Sequence, residues 1–176
     1  MTKTLSLSIF MSMILTGCLG FPDGVEPVKS FEINRYLGQW YEIARLDHSF
    51  EQGLSNVSAG YELREDGGVK VTNRGFSIEE QKWTEATGKA FFVEDDDMGY
   101  LKVSFFGPFY GSYAIFELGA SYEYAFVAGN TTKYLWLLSR TPTVSEELIE
   151  NFITQSKQLG FDTSELIFVD QTKNKE

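Results

Sequence analysis

The chain has 176 residues, with 25 Asp+Glu against 15 Lys+Arg, 16 Gly, 4 Pro, one His and one Cys. That length fits one ordinary globular domain, and a formal charge of −10 argues against a nucleic-acid partner, because phosphate contacts need a basic surface. A single Cys excludes an intramolecular disulfide and multi-Cys metal centres, and a single His leaves neither a His-rich metal site nor a ready catalytic triad, so no metal, cofactor or catalytic residue is expected.

Residues 1–17 read as an export leader. Lys3 supplies a positive n-region, and the apolar run Leu5 to Leu15 is too short to span a bilayer. Leu15-Thr16-Gly17-Cys18 resembles the lipobox of bacterial lipoproteins, which implies cleavage before Cys18 and lipid attachment to its thiol. Several acyl chains hold a protein on a membrane where one does so only marginally. Leu19, standing where an Asp would signal inner-membrane retention, implies by the same resemblance the outer membrane, with the domain on the periplasmic face. Residues 18–30, with Gly20, Pro22, Gly24 and Pro27, read as the lipidated Cys and a short tether.

The domain proper is assigned to 31–170, followed by a polar tail at 171–176. Short β-branched and aromatic runs divided by turn signals predict strands at Gln39–Leu46, Val57–Leu63, Val69–Phe76, Thr84–Val93, Leu101–Phe106, Ser112–Leu118, Glu123–Ala128 and Lys133–Ser139. Glu65-Asp66-Gly67-Gly68 and Gly129-Asn130-Thr131 are turns, and Asp95-Asp96-Asp97 is a solvated loop without calcium-binding spacing. Eight sequential strands with short connections predict an all-β fold, an eight-stranded antiparallel up-and-down barrel that closes its own edges. After Pro142, Thr143 and Glu146 form a capping box, and Leu148, Ile149, Phe152, Ile153 and Leu159 follow at helical spacing to Gly160. This one C-terminal helix should lie outside the barrel, and a last strand at Leu166–Val169 completes the chain.

Alternation places Val69 and Val71 on one face, and Leu101, Val103 and Phe105 on another, while the eighth strand is apolar on both. A barrel of this size either fills itself with side chains or holds one small ligand, and the residue pattern leaves both open. Glu42 shares parity with Trp40, where burial would demand a partner, or else turns outward at a bulge; no ligand role is assigned to it. His48, flanked by Asp47 and Ser49, reads as a surface residue.

Gly38-Gln39-Trp40-Tyr41-Glu42-Ile43, preceded by Phe31, Ile33 and Tyr36 and answered by Arg140 at the end of the eighth strand, resembles the lipocalin family. The segments Lys102–Gly111 and Tyr134–Pro142 sharpen the resemblance to a bacterial outer-membrane subgroup, although the family's middle motif survives only as Ala120-Ser121-Tyr122. The resemblance implies that Gly38, Trp40 and Arg140 close the barrel base, with the guanidinium stacked on the indole. It also implies a pocket, not a filled core, taking a fatty acid or lysophospholipid that is stored or moved for envelope maintenance. With Arg140 at the base, Tyr134, Trp136 and Leu138 share the inner face with Val69, Val71, Leu101, Val103 and Phe105, and Ala59, Tyr61, Phe116 and Val127 are added from neighbouring strands. The aromatics of Phe106–Tyr113 suit a homodimer face, the subgroup's habit, or membrane contact, and equally an ordinary hairpin with a large core share. The expected protein is therefore a carrier and not an enzyme; a lipid-acting barrel enzyme and a filled-barrel interaction protein are the competing readings.

Overall fold

In the computed structural model, which describes residues 19–174, a helical turn α1 (Ile33–Tyr36) delivers the chain into β1 (Gly38–Leu46). There follow β2 (Leu54–Leu63), β3 (Val69–Ser77), β4 (Lys82–Phe92), β5 (Tyr100–Ser104), β6 (Gly111–Leu118), β7 (Tyr124–Ala128) and β8 (Leu135–Ser139). The expected leader 1–17, Cys18 and the last two residues of the tail lie outside the described residues. Each strand pairs antiparallel with the next, and β1 pairs with both β8 and β2, which closes the barrel. The turns do what their residues suggest: Gly67 takes a positive φ of 79° and Arg64 N–H donates to the Gly68 carbonyl at 2.9 Å, closing the β2–β3 hairpin.

β1 is shared along its length. Its first half lies against β2, from Gly38 opposite Tyr61 to Tyr41 opposite Ser58. Its second half lies against the short β9 (Leu166–Phe168), from Ala44 opposite Phe168 to Leu46 opposite Leu166. The last strand therefore covers the edge of β1 where β2 has left it.

Bulges in β1 and β6 reset the inside–outside alternation, and a third register shift lies in β2 between Ser55 and Ser58. In β1 the register against β8 slips between Glu42 and Ala44, so Ile43 and Ala44 both join the outer apolar cluster. In β6 it slips against β7 between Ile115 and Glu117; Ile115 lies in the inner cluster and Phe116 in the outer one.

The helix α2 (Glu146–Gln158) lies outside the barrel, its Phe152 ring edge-on to Phe126 of β7 at 5.0 Å. Its N-cap is Ser145, whose hydroxyl accepts from Leu148 N–H at 3.2 Å, and not the Thr143 of the expected capping box. Thr143 is occupied otherwise, its carbonyl accepting from the Thr141 hydroxyl at 2.8 Å. At the other end Gly160 has φ 84°, with Gly160 N–H donating to the Lys157 carbonyl and Phe161 N–H to that of Ser156, so the expected glycine stop is present as a Schellman turn. Two apolar cores result. One fills the lower barrel around Phe31, Tyr36, Trp40 and Val69; the other lies between the outer wall, α2 and the N-terminal segment, around Phe126, Leu135, Leu137 and Phe152.

Candidate functional site

The base of the barrel is built on the expected trio. The Arg140 guanidinium lies 4.0 Å from the Trp40 ring and donates to the main-chain carbonyls of Arg35 (2.8 Å), Gln39 (3.0 Å) and Tyr122 (3.2 Å). Gly38, at φ 93°, lets the chain turn into β1 beneath that guanidinium; a Cβ there would sit 3.4 Å from Arg140 Nη1. Trp40 is fully buried, with its indole N–H donating to the Tyr36 carbonyl at 2.8 Å.

Above this plug the barrel holds a cavity of about 840 Å³. Seven of the expected wall residues line it: Ala59, Tyr61, Val71, Val103, Phe105, Trp136 and Leu138. Val69 and Leu101 point inward but lie lower, around a small void that also touches Tyr36, Tyr61 and Tyr113. The floor between the two spaces is a chain of hydroxyls, Tyr36 to Tyr113 at 2.7 Å and Tyr113 to Tyr61 at 2.9 Å. Burial raises the titration of all three phenols, so they stay neutral.

The remaining expected wall residues lie elsewhere. Phe116 faces outward against Phe126 and Phe161, on the same parity as Ala114, while Tyr113 and Ile115 hold the inner positions; the β6 bulge changes the parity only beyond it, bringing Leu118 inside. Val127 faces in but is fully buried in the inner cluster; its cross-strand partner Trp136 makes the cavity wall. Tyr134 precedes β8, and its ring stacks on Trp136 and Phe50 outside the cavity. His48 is buried and not a surface residue: it stacks on Phe50 with centroids 4.0 Å apart, because the β1–β2 loop folds over the barrel mouth. Of the aromatics at Phe106–Tyr113, Phe106 and Phe109 are 80% and 75% exposed at the rim, and Tyr113 is inside.

One side of the cavity is polar. Glu42 is 3% exposed and lines the space, the β1 bulge falling after it and not before. Arg45, 2% exposed, is brought to the same side; its Nη1 donates to Glu42 Oε1 at 2.7 Å and its Nη2 to the carbonyl of Glu51 at 3.0 Å. The Glu51 carboxylate also faces the cavity and accepts from the Trp136 indole N–H at 3.2 Å, with His48 Nε2 3.1 Å away. Burial and the adjoining Glu51 hold the Glu42 carboxyl well above the usual carboxylate range, against the pull of Arg45. Burial pushes Glu51 upward too, but His48, Trp136 and Arg45 outweigh it and leave it lowered. Parity with Trp40 is the sequence signal that places Glu42 inside; nothing local announces Glu51, which arrives on a loop.

Comparison with known proteins agrees with this architecture. A family model described as a lipocalin-like domain matches residues 31–171. The outer membrane lipoprotein Blc of Vibrio cholerae is 61% identical over 164 residues, covering 93% of this chain and 96% of that protein. The outer membrane lipoprotein Blc of Escherichia coli K12 is 48% identical over 150 residues, 85% of each chain. Among solved structures, insecticyanin from the tobacco hornworm Manduca sexta superposes with a TM-score of 0.70 at 20% identity, covering 88% of both chains.

Proposed function

The chain belongs to the lipocalin family, and from that premise we propose that it is an outer-membrane lipoprotein that carries an acyl lipid, a fatty acid or lysophospholipid, inside its barrel. The observation that carries this reading is the 840 Å³ cavity, bounded by Val71, Val103, Phe105 and Leu138 and opening between the β1–β2 and β5–β6 loops. A pre-formed space of that size, apolar over most of its wall, suits one acyl chain. The relatives named as outer membrane lipoproteins support the location, and the Leu15–Cys18 lipobox supports attachment through Cys18. We read the molecule as a binding protein that stores or moves lipid for envelope maintenance, not as an enzyme. The exposed Phe106 and Phe109 are the surface we assign to a homodimer, which sedimentation at two protein concentrations checks.

Trp136 lies on the cavity wall, so its fluorescence reports occupancy. Titration of delipidated protein with a lysophospholipid is expected to saturate near one ligand per chain or per dimer. Val103→Arg puts a charge in the apolar wall and should abolish that signal while the far-UV spectrum stays that of a folded barrel. Undiminished binding by this variant, or a flat titration of folded wild type, refutes the lipid-carrier reading.

A further inference from the structure

The outer wall of the barrel is basic along one row, in a chain whose formal charge is −10. Val69 and Val71 of β3, Ala90 of β4 and Leu101 and Val103 of β5 belong to the inner cluster, so the alternating Lys70, Lys89 and Lys102 point outward. Lys70 stands directly opposite Lys89, and Lys102, opposite Phe91, is the diagonal neighbour of Lys89 on the same face. Like charges in register cost stability, and an anion laid across them removes that cost. Of the carboxylates on this wall, Glu62 pairs with Lys70 at 3.4 Å, Asp66 pairs with Arg64 at 2.6 Å, and Glu85 stands opposite Arg74; Glu94, Asp95, Asp96 and Asp97 lie past β4 at the closed end. Among the described residues no carboxylate forms an ion pair with Lys89 or Lys102. Their ammonium groups lie instead near aromatic rings, 6.0 Å from that of Phe91 and 5.4 Å from that of Tyr110.

A second and independent feature places a membrane beside this row. The segment expected as a tether is packed onto the barrel from Gly20 onward: Gly20 N–H donates to the Tyr100 hydroxyl at 2.7 Å, the Phe21 ring lies edge-on to Tyr100 at 5.1 Å, Val25 is 2% exposed, and Val28 N–H donates to the Ile115 carbonyl at 2.8 Å. Tyr100 begins β5 with the outward parity of Lys102, two residues and about 7 Å farther along the strand. Two peptide links carry Cys18 no farther than about 7 Å from Gly20, so a lipid on its thiol enters a bilayer close to the Lys102 end of the row. We propose that the outer face of β4 and β5, through Lys89 and Lys102 with Lys70 beside them, is the surface on which the anchored barrel lies against anionic phospholipid headgroups. This rests on the lipoprotein reading, because the anchor supplies the proximity and the lysines supply the orientation. Each lysine close to a negatively charged bilayer adds to the attraction, and Phe91 and Tyr110 give the face rings of the kind that settle at headgroup level. The barrel then lies on its side wall, with the mouth opening across the membrane surface and not into it.

The test uses the full lipidated chain, extracted from its membrane and reconstituted in vesicles of phosphatidylcholine alone or with about 30% phosphatidylglycerol, which makes the surface potential negative. A bimane label is attached through Thr87→Cys, exposed on the outer face of β4 beside Lys89, or through Thr154→Cys, exposed on α2, and nitroxide lipids quench whichever position lies against the bilayer. Anionic vesicles are expected to quench position 87 and leave position 154 bright, and neutral vesicles to quench neither. Salt at about 1 M, where the screening length falls to about 3 Å, should release the quenched label. Lys89→Gln and Lys102→Gln should each lower the ratio of docked to undocked barrels about fivefold, while both variants still float with the vesicles on their anchor. Equal quenching at the two positions, or quenching at position 87 that ignores lipid charge, salt and both substitutions, overturns the docking face and leaves the anchor standing. So does contact between the position-87 labels of two copies, which makes the face a dimer contact. Failure of the wild-type chain to float with either vesicle overturns the anchor, and the docking with it.

Discussion

Replacing Arg140 by alanine removes the fastening that ties the base of the barrel together. The guanidinium bonds carbonyls from three separate places in the chain, before β1, inside β1 and in the β6–β7 turn, and covers the Trp40 ring at 4.0 Å. At about 1 kcal/mol for each half-exposed hydrogen bond the three amount to about 3 kcal/mol, and the cation–π contact adds about 0.5–1 kcal/mol. A loss of about 3–4 kcal/mol corresponds to roughly 6–15 °C in Tm for a chain of this size. Arg140→Lys keeps the charge over the indole but has no planar fork to reach three acceptors, so it should recover about a third of the loss. Urea unfolding followed by Trp fluorescence measures both variants against wild type. A cost below about 1 kcal/mol for the alanine variant, or a lysine variant as stable as wild type, would refute the reasoning, since either result means the three carbonyls are equally well served by water.

Two further outcomes follow from buried groups. Gln171, 4% exposed, donates through Nε2 to the carbonyls of Glu42 (2.7 Å) and Val57 (2.8 Å), and so joins β1 to β2 beside the β1 bulge. Gln171→Ala should cost about 2–3 kcal/mol in urea unfolding, because both acceptors stay buried; a loss under half of that would show that water reaches them. Glu42 binds its proton more tightly in the folded chain than in the unfolded one, so its contribution is complete below the unfolded carboxyl value, about 4.3, and is lost as pH rises through the raised folded value. Glu51, lowered in the fold, contributes the opposite way and loses its share as pH falls. Glu42→Gln should therefore gain in Tm relative to wild type between about pH 5 and pH 8, whereas a constant difference across that range would show that Glu42 does not hold the proton.

Most of the barrel was legible because strand alternation is a local property. Val71, Val103 and Leu138 sit on straight, regularly paired stretches, and each faces the cavity as its parity demands. Legibility ends at the bulges, which are set by pairing with a neighbour and have no composition of their own here. The one in β6 brings Leu118 to the inner face, so that reading back from it misplaces Phe116, and the one in β1 brings Arg45 in beside Glu42; each reverses the parity for the rest of its strand. The β1–β2 loop was opaque for a different reason. His48 and Glu51 have no periodicity to read; their burial comes from contact with Phe50, Tyr134 and Trp136, the last two more than eighty residues away in sequence. The polar tail is a third case, because Gln171 looks like a solvated residue until its two carbonyl acceptors are known.

The division of apolar packing between an inner and an outer core has a consequence for a container. A protein whose only core is its cargo space is least stable when empty, and its folding equilibrium then depends on the supply of cargo. Here the rings of Phe126, Phe152 and Phe161 and the side chains of Leu135 and Leu137 are sealed between wall, helix and N-terminal segment, on the far side of the strands from the cavity. In the proposed carrier function cargo meets the inner core only, so the outer one is a reservoir of stability that does not depend on it.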